Sequence, residues 1–215
     1  MAIKLDMSKT YDRENWSYLE MVIRKLGFNE QWVNLQMLCV TIVSYSILVN
    51  REPKGTIHPT RGIRQRHPLS PFLFLPCIEG LHGLISQASL SGEIQGYWLC
   101  RNSPKLTHLL FANDSLLFCR ATMQECQKVL DILKIYGRCS GQQINKNKTT
   151  IFFSKFTSED MRNHIKQALG VPEINQYEKY LGLPSFVGKR KKTSFNFIKE
   201  NVWRKLQGWK EKLLS

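Results

Sequence analysis

What the sequence lacks narrows its class first. No run of apolar residues approaches the ~20 needed to span a bilayer, so no membrane crossing is expected. Residues 1–13 hold no apolar core of a secretion signal, and Asp6 and Asp12 among them argue against an acid-poor transit peptide. None of the 6 cysteines forms a CxxC pair, and no neighbouring histidine completes zinc-finger spacing. Several lie in apolar stretches, such as Leu116-Leu117-Phe118-Cys119. They are therefore expected to be reduced and mostly buried, as in an intracellular protein. Acidic residues are scarce: 17 Asp and Glu stand against 31 Lys and Arg, a formal charge of +14. That balance favours a polyanionic partner, nucleic acid foremost. A basic protein with no nucleic-acid role is the competing reading of charge alone. An acidic membrane surface is the weaker one, since no segment reads as a basic amphipathic anchor.

What is present, 215 residues with 42% hydrophobic content, suits one domain or a large fragment of one and is enough for a core. Residues 2–6 read as a short strand ending in the carboxylate of Asp6. Trp16, Leu19, Ile23 and Leu26 recur at helical spacing, with Gly27 as a stop. A second helix is expected to turn Trp32, Leu35 and Leu38 to one face. Residues 45–50 and 56–60 form a hairpin about the turn 51–55. A helix starts near Ser70, where prolines suit the first turn, and Pro76 should bend or interrupt it. Residues 106–111 and 116–120 read as strands joined by the turn Ala112-Asn113-Asp114-Ser115. A helix over 123–136, a strand over 149–153 and a helix from Ser158 to Gly170 follow. Residues 177–184 read as extended, and 194–215 as a basic helix behind the run Lys189-Arg190-Lys191-Lys192. This order predicts an α+β domain, an antiparallel sheet covered by helices.

Two carboxylates stand out. Asp6 ends a strand, and Asp114 sits at a hairpin tip over a hundred residues later. Antiparallel pairing would bring them together, and carboxylates at adjacent strand ends can hold paired Mg²⁺ ions. On its own an aspartate in a turn is far more often a turn residue than a ligand.

A family resemblance changes that balance. Lys4-Leu5-Asp6-Met7-Ser8-Lys9-Thr10-Tyr11-Asp12-Arg13 resembles the first palm motif of LINE-type reverse transcriptases, especially those of plants. Arg61-Gly62-Ile63-Arg64-Gln65-Arg66-His67-Pro68-Leu69-Ser70-Pro71 resembles the second motif. Leu110-Phe111-Ala112-Asn113-Asp114-Ser115 resembles the third, the catalytic hairpin. Gln142-Gln143-Ile144-Asn145 with Lys148 resembles the fourth, and Tyr177-Glu178-Lys179-Tyr180-Leu181-Gly182-Leu183-Pro184 the segment gripping the primer end. The five run in family order over nearly the whole chain.

The resemblance implies a polymerase palm over 1–185 and the basic helical start of a thumb over 186–215. It implies Asp6 and Asp114 as metal ligands, with Asn113 beside them in the catalytic hairpin. Tyr11 would lie beside the incoming nucleotide's sugar. Gln65, Arg66, Pro68 and Ser70 belong to the motif that packs on template and nucleotide. Lys148 would approach the phosphates, and Tyr180, Leu181 and Gly182 the primer end. Mg²⁺, an RNA template, a DNA primer and deoxynucleoside triphosphates are the implied cofactor and partners. Such enzymes work at nuclear DNA, although no targeting signal is evident.

This chain departs from the family at three places. Asn113 stands where the family has aspartate, Arg66 where it has glycine, and His67 where it has aspartate. The first removes a negative charge, the second loads a close-approach position with a side chain, and the third replaces a carboxylate with imidazole. The fingers that precede the first motif in the family are also expected to be missing, which would expose apolar palm surface. The implied enzyme is thus expected to be impaired. A noncatalytic module binding RNA or RNA/DNA hybrid, and the product of a decayed reading frame, remain as alternatives.

Overall fold

Alternation in the first five ordered residues sets the layers. In β1 (Ala2–Asp6), Ile3 and Leu5 are buried while Ala2, Lys4 and Asp6 are half-buried on the opposite face. That two-residue period is what a strand with one covered face requires. The computed structural model describes residues 1–98, 100, 103–111, 114–174, 196, 199–204 and 206–207, with Asp114 described by its backbone. Two compact units are distinguished, Met1–Glu173 and Ile174–Ser215.

In the first unit β1 is followed by α1 (Thr10–Arg13), α2 (Trp16–Lys25), α3 (Glu30–Thr41), β2 (Tyr45–Val49), β3 (Glu52–Ile57) and α4 (Ser70–Leu90). Next come β4 (Tyr97–Trp98), β5 (Lys105–Leu106), β6 (His108–Phe111), β7 (Asp114–Phe118), α5 (Met123–Ser140), β8 (Thr150–Phe152) and α6 (Glu159–Leu169). The main sheet is antiparallel with order β6-β7-β1-β8. Ile3 pairs with Leu117 on one side and Ile151 on the other. All three are buried, forming an apolar row across three strands. Each such side chain contributes roughly 1.5–3 kcal/mol by leaving water. Helices α2, α4 and α5 supply the other half of the core through Leu19, Ile23, Leu81, Ile85, Cys126 and Val129. The α+β palm-like sheet expected from the sequence is the architecture found.

Packing of α2 on α4 is close because α4 has no side chain at one point. The Tyr18 hydroxyl donates to the Cys77 carbonyl at 3.1 Å, and a Cβ on Gly80 would lie 1.8 Å from that hydroxyl.

Several local expectations are corrected. Helix α4 runs unbroken through Pro76, which removes only one ladder bond and is buried against the core. The hairpin β2–β3 turns on two residues, Asn50 and Arg51, both with positive φ (53° and 70°), rather than on 51–55. That left-handed pair matches the twist of the strands. Pro53 therefore falls inside β3, tolerable because a two-stranded ribbon has edges that need no donor. Asp114 begins β7, paired with Phe111, instead of sitting in the turn. In α3 the buried residues are Val33 and Val40, while Trp32, Leu35 and Leu38 face outward, as does Leu26 at the end of α2. Ile47, Leu48 and Phe72 are exposed as well. The cysteines divide evenly: Cys77, Cys119 and Cys126 are buried, Cys39, Cys100 and Cys139 exposed, and all are free thiols. Among the described residues, no helix is long and apolar enough to cross a membrane. In the second unit, residues 199–204 are helical, with Val202 and Trp203 exposed.

Candidate active site

The site forms where β1 ends. Register places Asp6 directly opposite Asp114 of β7, so two aspartates far apart in sequence occupy adjacent strand positions. On its other side Asp6 is held by backbone: its N–H donates to Thr149 Oγ1 at 3.2 Å, and its carbonyl accepts from Asn145 N–H at 2.9 Å. The Ser8 N–H donates to the Gln143 carbonyl at 2.8 Å. These bonds lay the segment 142–149 along the end of β1 and carry Asn145 and Lys148 to the same place.

The turn after β1 brings the next groups. Lys9 takes a left-handed conformation (φ 49°), reversing the chain into α1. Tyr11 packs its ring on Phe74 of α4, with centroids 5.5 Å apart. The segment 61–70 then docks on α1: Gly62 N–H donates to the Glu14 carbonyl at 2.7 Å and Ile63 N–H to the Tyr11 carbonyl at 2.6 Å. The Trp16 indole N–H donates to the Gly62 carbonyl at 2.8 Å, and Gln65 Nε2 to Asp12 Oδ1 at 3.0 Å. Gly62 has φ +93°, and a Cβ there would meet the Asp12 carbonyl oxygen at 2.8 Å. Gly62→Ala is therefore expected to cost about 2 kcal/mol, from left-handed strain plus a clash with backbone. A chemical-denaturation midpoint close to that of the parent chain would dismiss this.

A cavity of about 630 Å³ results, lined among others by Asp6, Tyr11, Gln65, Arg66 and Lys148. Five of the residues singled out in the sequence thus share one space. Arg66 is there with φ 61°, a backbone conformation that suits glycine, the residue the family carries at this position. Pro68 and Ser70 lie elsewhere: Pro68 is exposed, and the buried Ser70 hydroxyl donates to the Arg64 carbonyl, closing the turn into α4. His67 is half-buried and accepts the Leu69 N–H at Nδ1, 3.3 Å away. Asn113, Tyr180, Leu181 and Gly182 lie outside the described residues.

Lys9 and Arg13 also line the cavity, although the sequence singled out neither. Their signal was available, since both fall in the turn that follows Asp6, but a basic residue near a carboxylate reads as ordinary surface. Glu14 was missed altogether, and Gln142, quoted only as part of the fourth motif, was given no role; both are buried behind the wall. Gln142 Nε2 donates to Glu14 Oε2 at 2.7 Å and to the Thr10 carbonyl at 2.8 Å.

The reverse transcriptase (RNA-dependent DNA polymerase) family model matches residues 1–198. The chain belongs to that family. An uncharacterised mitochondrial protein of Arabidopsis thaliana is 46% identical over 68 residues, 32% of this chain and 56% of that protein. The chain thus matches little more than half the length of that relative. Among solved structures, telomerase from Candida albicans, in complex with a fragment of telomeric RNA, aligns with a TM-score of 0.54 at 16% identity. The alignment covers 74% of this chain and 27% of that one. At that identity it supports the polymerase palm fold, which the sheet order already displays.

Reverse transcriptases generally use divalent metal ions. The residue types here suit one in kind: Asp6 and, at the register position opposite it, Asp114 are aspartates, whose carboxylates are hard oxygen ligands. Asp12, the other carboxylate in the first motif, is engaged by Gln65. Among the described residues, no group of three or more His, Cys, Asp and Glu side chains gathers to hold a metal.

Proposed function

We propose that this reverse transcriptase domain descends from a plant LINE-type retrotransposon, retains nucleic-acid binding and has lost most of its polymerase activity. The observation that carries the reading is the register of Asp6 opposite Asp114, with Asp6 lining a cavity that Arg66 also lines. Asp6 and Asp114 would hold Mg²⁺, which when bound neutralises charge on the transferred phosphoryl group. Tyr11, braced on Phe74, would form the wall beside the nucleotide sugar, and Lys148 would approach the phosphates. Gln65, Pro68 and Ser70 would shape the turn facing the template, while Tyr180, Leu181 and Gly182 would hold the primer end. An RNA template, a DNA primer and deoxynucleoside triphosphates are the substrates, and the nucleus is the compartment where such an element works. Three changes oppose catalysis: a neutral residue at 113, a guanidinium at 66 and an imidazole at 67.

Primer extension on an RNA template, with Mg²⁺ or Mn²⁺, is expected to yield no detectable synthesis by the unmodified chain. Clear product would overturn the loss of activity. Binding to RNA is expected to weaken steeply with salt, because a chain of charge +14 would engage several phosphates and release their counterions. A flat plot of log affinity against log salt would remove the binding function.

A second reading has its own support. Exposed Leu35, Leu38, Ile47, Leu48 and Phe72 suit the product of a decayed frame that does not fold alone. A cooperative thermal melt of the isolated chain would dismiss it.

A further inference from the structure

Two imidazoles meet away from the cavity. His82 belongs to α4 and His108 to β6, the edge strand of the main sheet. His82 Nδ1 lies 2.7 Å from His108 Nε2, and the rings meet edge-on with centroids 4.8 Å apart. Each outer nitrogen has an oxygen beside it. His108 Nδ1 is 2.8 Å from Thr107 Oγ1, and His82 Nε2 is 3.5 Å from Ser86 Oγ. A histidine that ligates a metal gives its far N–H to such an oxygen, which aims the near lone pair at the ion. Burial, aided by the neighbouring His82, holds His108 below the usual imidazole range, so it is a neutral base at neutral pH. Metal–imidazole bonds of ~2.0–2.1 Å put ligands at a right angle about 2.9 Å apart, and tetrahedral ones about 3.3 Å apart. The 2.7 Å separation lies closer to the first.

We propose that His82 and His108 form a two-imidazole site for a divalent transition ion of the Ni²⁺ or Cu²⁺ class, which clamps the edge strand β6 to α4. Such ions favour nitrogen ligands in square or tetragonal arrangement, and water completes the coordination of an open site. The protons balance. In the empty pair His108 Nδ1–H donates to Thr107 Oγ1, and His82 Nδ1–H donates to His108 Nε2. On binding, the His82 proton moves to its own Nε2, facing Ser86 Oγ, and both inner lone pairs are given to the ion. Mg²⁺ does not compete, because it takes oxygen ligands. The site is separate from the one at Asp6: His108 opens β6, while Phe111 at the far end of that strand pairs with Asp114. It stands or falls independently of polymerase activity.

The test is calorimetric titration of the full, untagged chain with Ni²⁺, alongside thermal melts at rising Ni²⁺ concentration. Ni²⁺ is chosen because it does not oxidise the exposed thiols of Cys39, Cys100 and Cys139. The melting temperature is expected to rise with Ni²⁺, since an ion held by both elements favours the folded state. His82→Ala, at an exposed position, is expected to abolish that rise and to weaken Ni²⁺ binding by at least about tenfold. His108→Ala is expected to do the same. His164→Ala, exposed on α6, is expected to leave both readings at the parent's values. Melts in EDTA verify that each variant folds, and if His108→Ala does not, the His82 variant decides. Parental Ni²⁺ affinity in folded His82→Ala would overturn the proposal. So would an equal loss in His164→Ala, or a parent melting temperature that Ni²⁺ does not raise.

Discussion

Asparagine-to-aspartate replacement at position 113 alone is expected to leave primer extension undetected, while Asn113→Asp, Arg66→Gly and His67→Asp together raise it by about a thousandfold or more. The magnitude follows from one charge. A unit charge pair near 4 Å is worth about 4 kcal/mol at an effective dielectric of 20, and each ~1.4 kcal/mol is a factor of about ten in rate. A carboxylate at 113 would supply that attraction to a metal held by Asp6 and Asp114. It is not expected to act alone, because Arg66 lines the cavity that Asp6 lines and its positive charge would oppose a metal there. Arg66→Gly removes that charge and also relieves a left-handed residue, worth about 1 kcal/mol in stability. Extension should be measured at saturating nucleotide, so that changes in nucleotide affinity do not enter the comparison. If Asn113→Asp by itself matched the triple variant, Arg66 and His67 would be harmless and the lost carboxylate the whole defect.

Much of this site was legible because its parts lie in contiguous motifs. Asp6, Tyr11, Gln65, Arg66 and Lys148 come from three separate segments, and each segment carries its own local pattern. The sheet was legible for a related reason: alternating Ile3 and Leu5, then Leu117 and Ile151, fix which face is covered, and the register follows. Helix α6 begins after Ser158 and ends before Gly170 as expected, since its end signals are local. Properties decided by distant neighbours were not legible. Helical spacing shows that Trp32, Leu35 and Leu38 share a face of α3, but not that the core takes the opposite face through Val33 and Val40. The Ser70 hydroxyl donates to the Arg64 carbonyl, a bond that depends on how the turn 64–70 closes and that no local pattern announces. Arg13 is an ordinary basic residue in the sequence, and its unpartnered Nε emerges only when the cavity is assembled.

Glu14 is the clearest case of chemistry hidden from the sequence, and replacing it is expected to change how stability responds to pH. The residue is fully buried, and burial raises its carboxyl from the usual 4.5 to about 7, with the Cys77 thiol and Gln142 amide countering in part. The native state therefore holds a proton that the unfolded chain has released between pH 4.5 and about 7. Stability contributed by this group falls as pH rises through that window, and above it the penalty is complete, at about 3 kcal/mol. Glu14→Gln carries no charge at any pH. Its amide also offers a donor beside Gln142 Oε1, a buried acceptor without a partner. The variant is thus expected to match the parent near pH 5 and to exceed it by about 3 kcal/mol at pH 8, read from denaturant melts at each pH. A difference that stays constant across that range would mean the Glu14 carboxyl is not titrating there. The consequence reaches the cavity, because Gln142 binds both the Glu14 carboxyl and the Thr10 carbonyl beside Tyr11. Charging Glu14 strains the core directly behind the wall on which a nucleotide sugar would rest. The parent chain is therefore expected to hold that wall most firmly below pH 7, and the glutamine variant to hold it equally well on both sides.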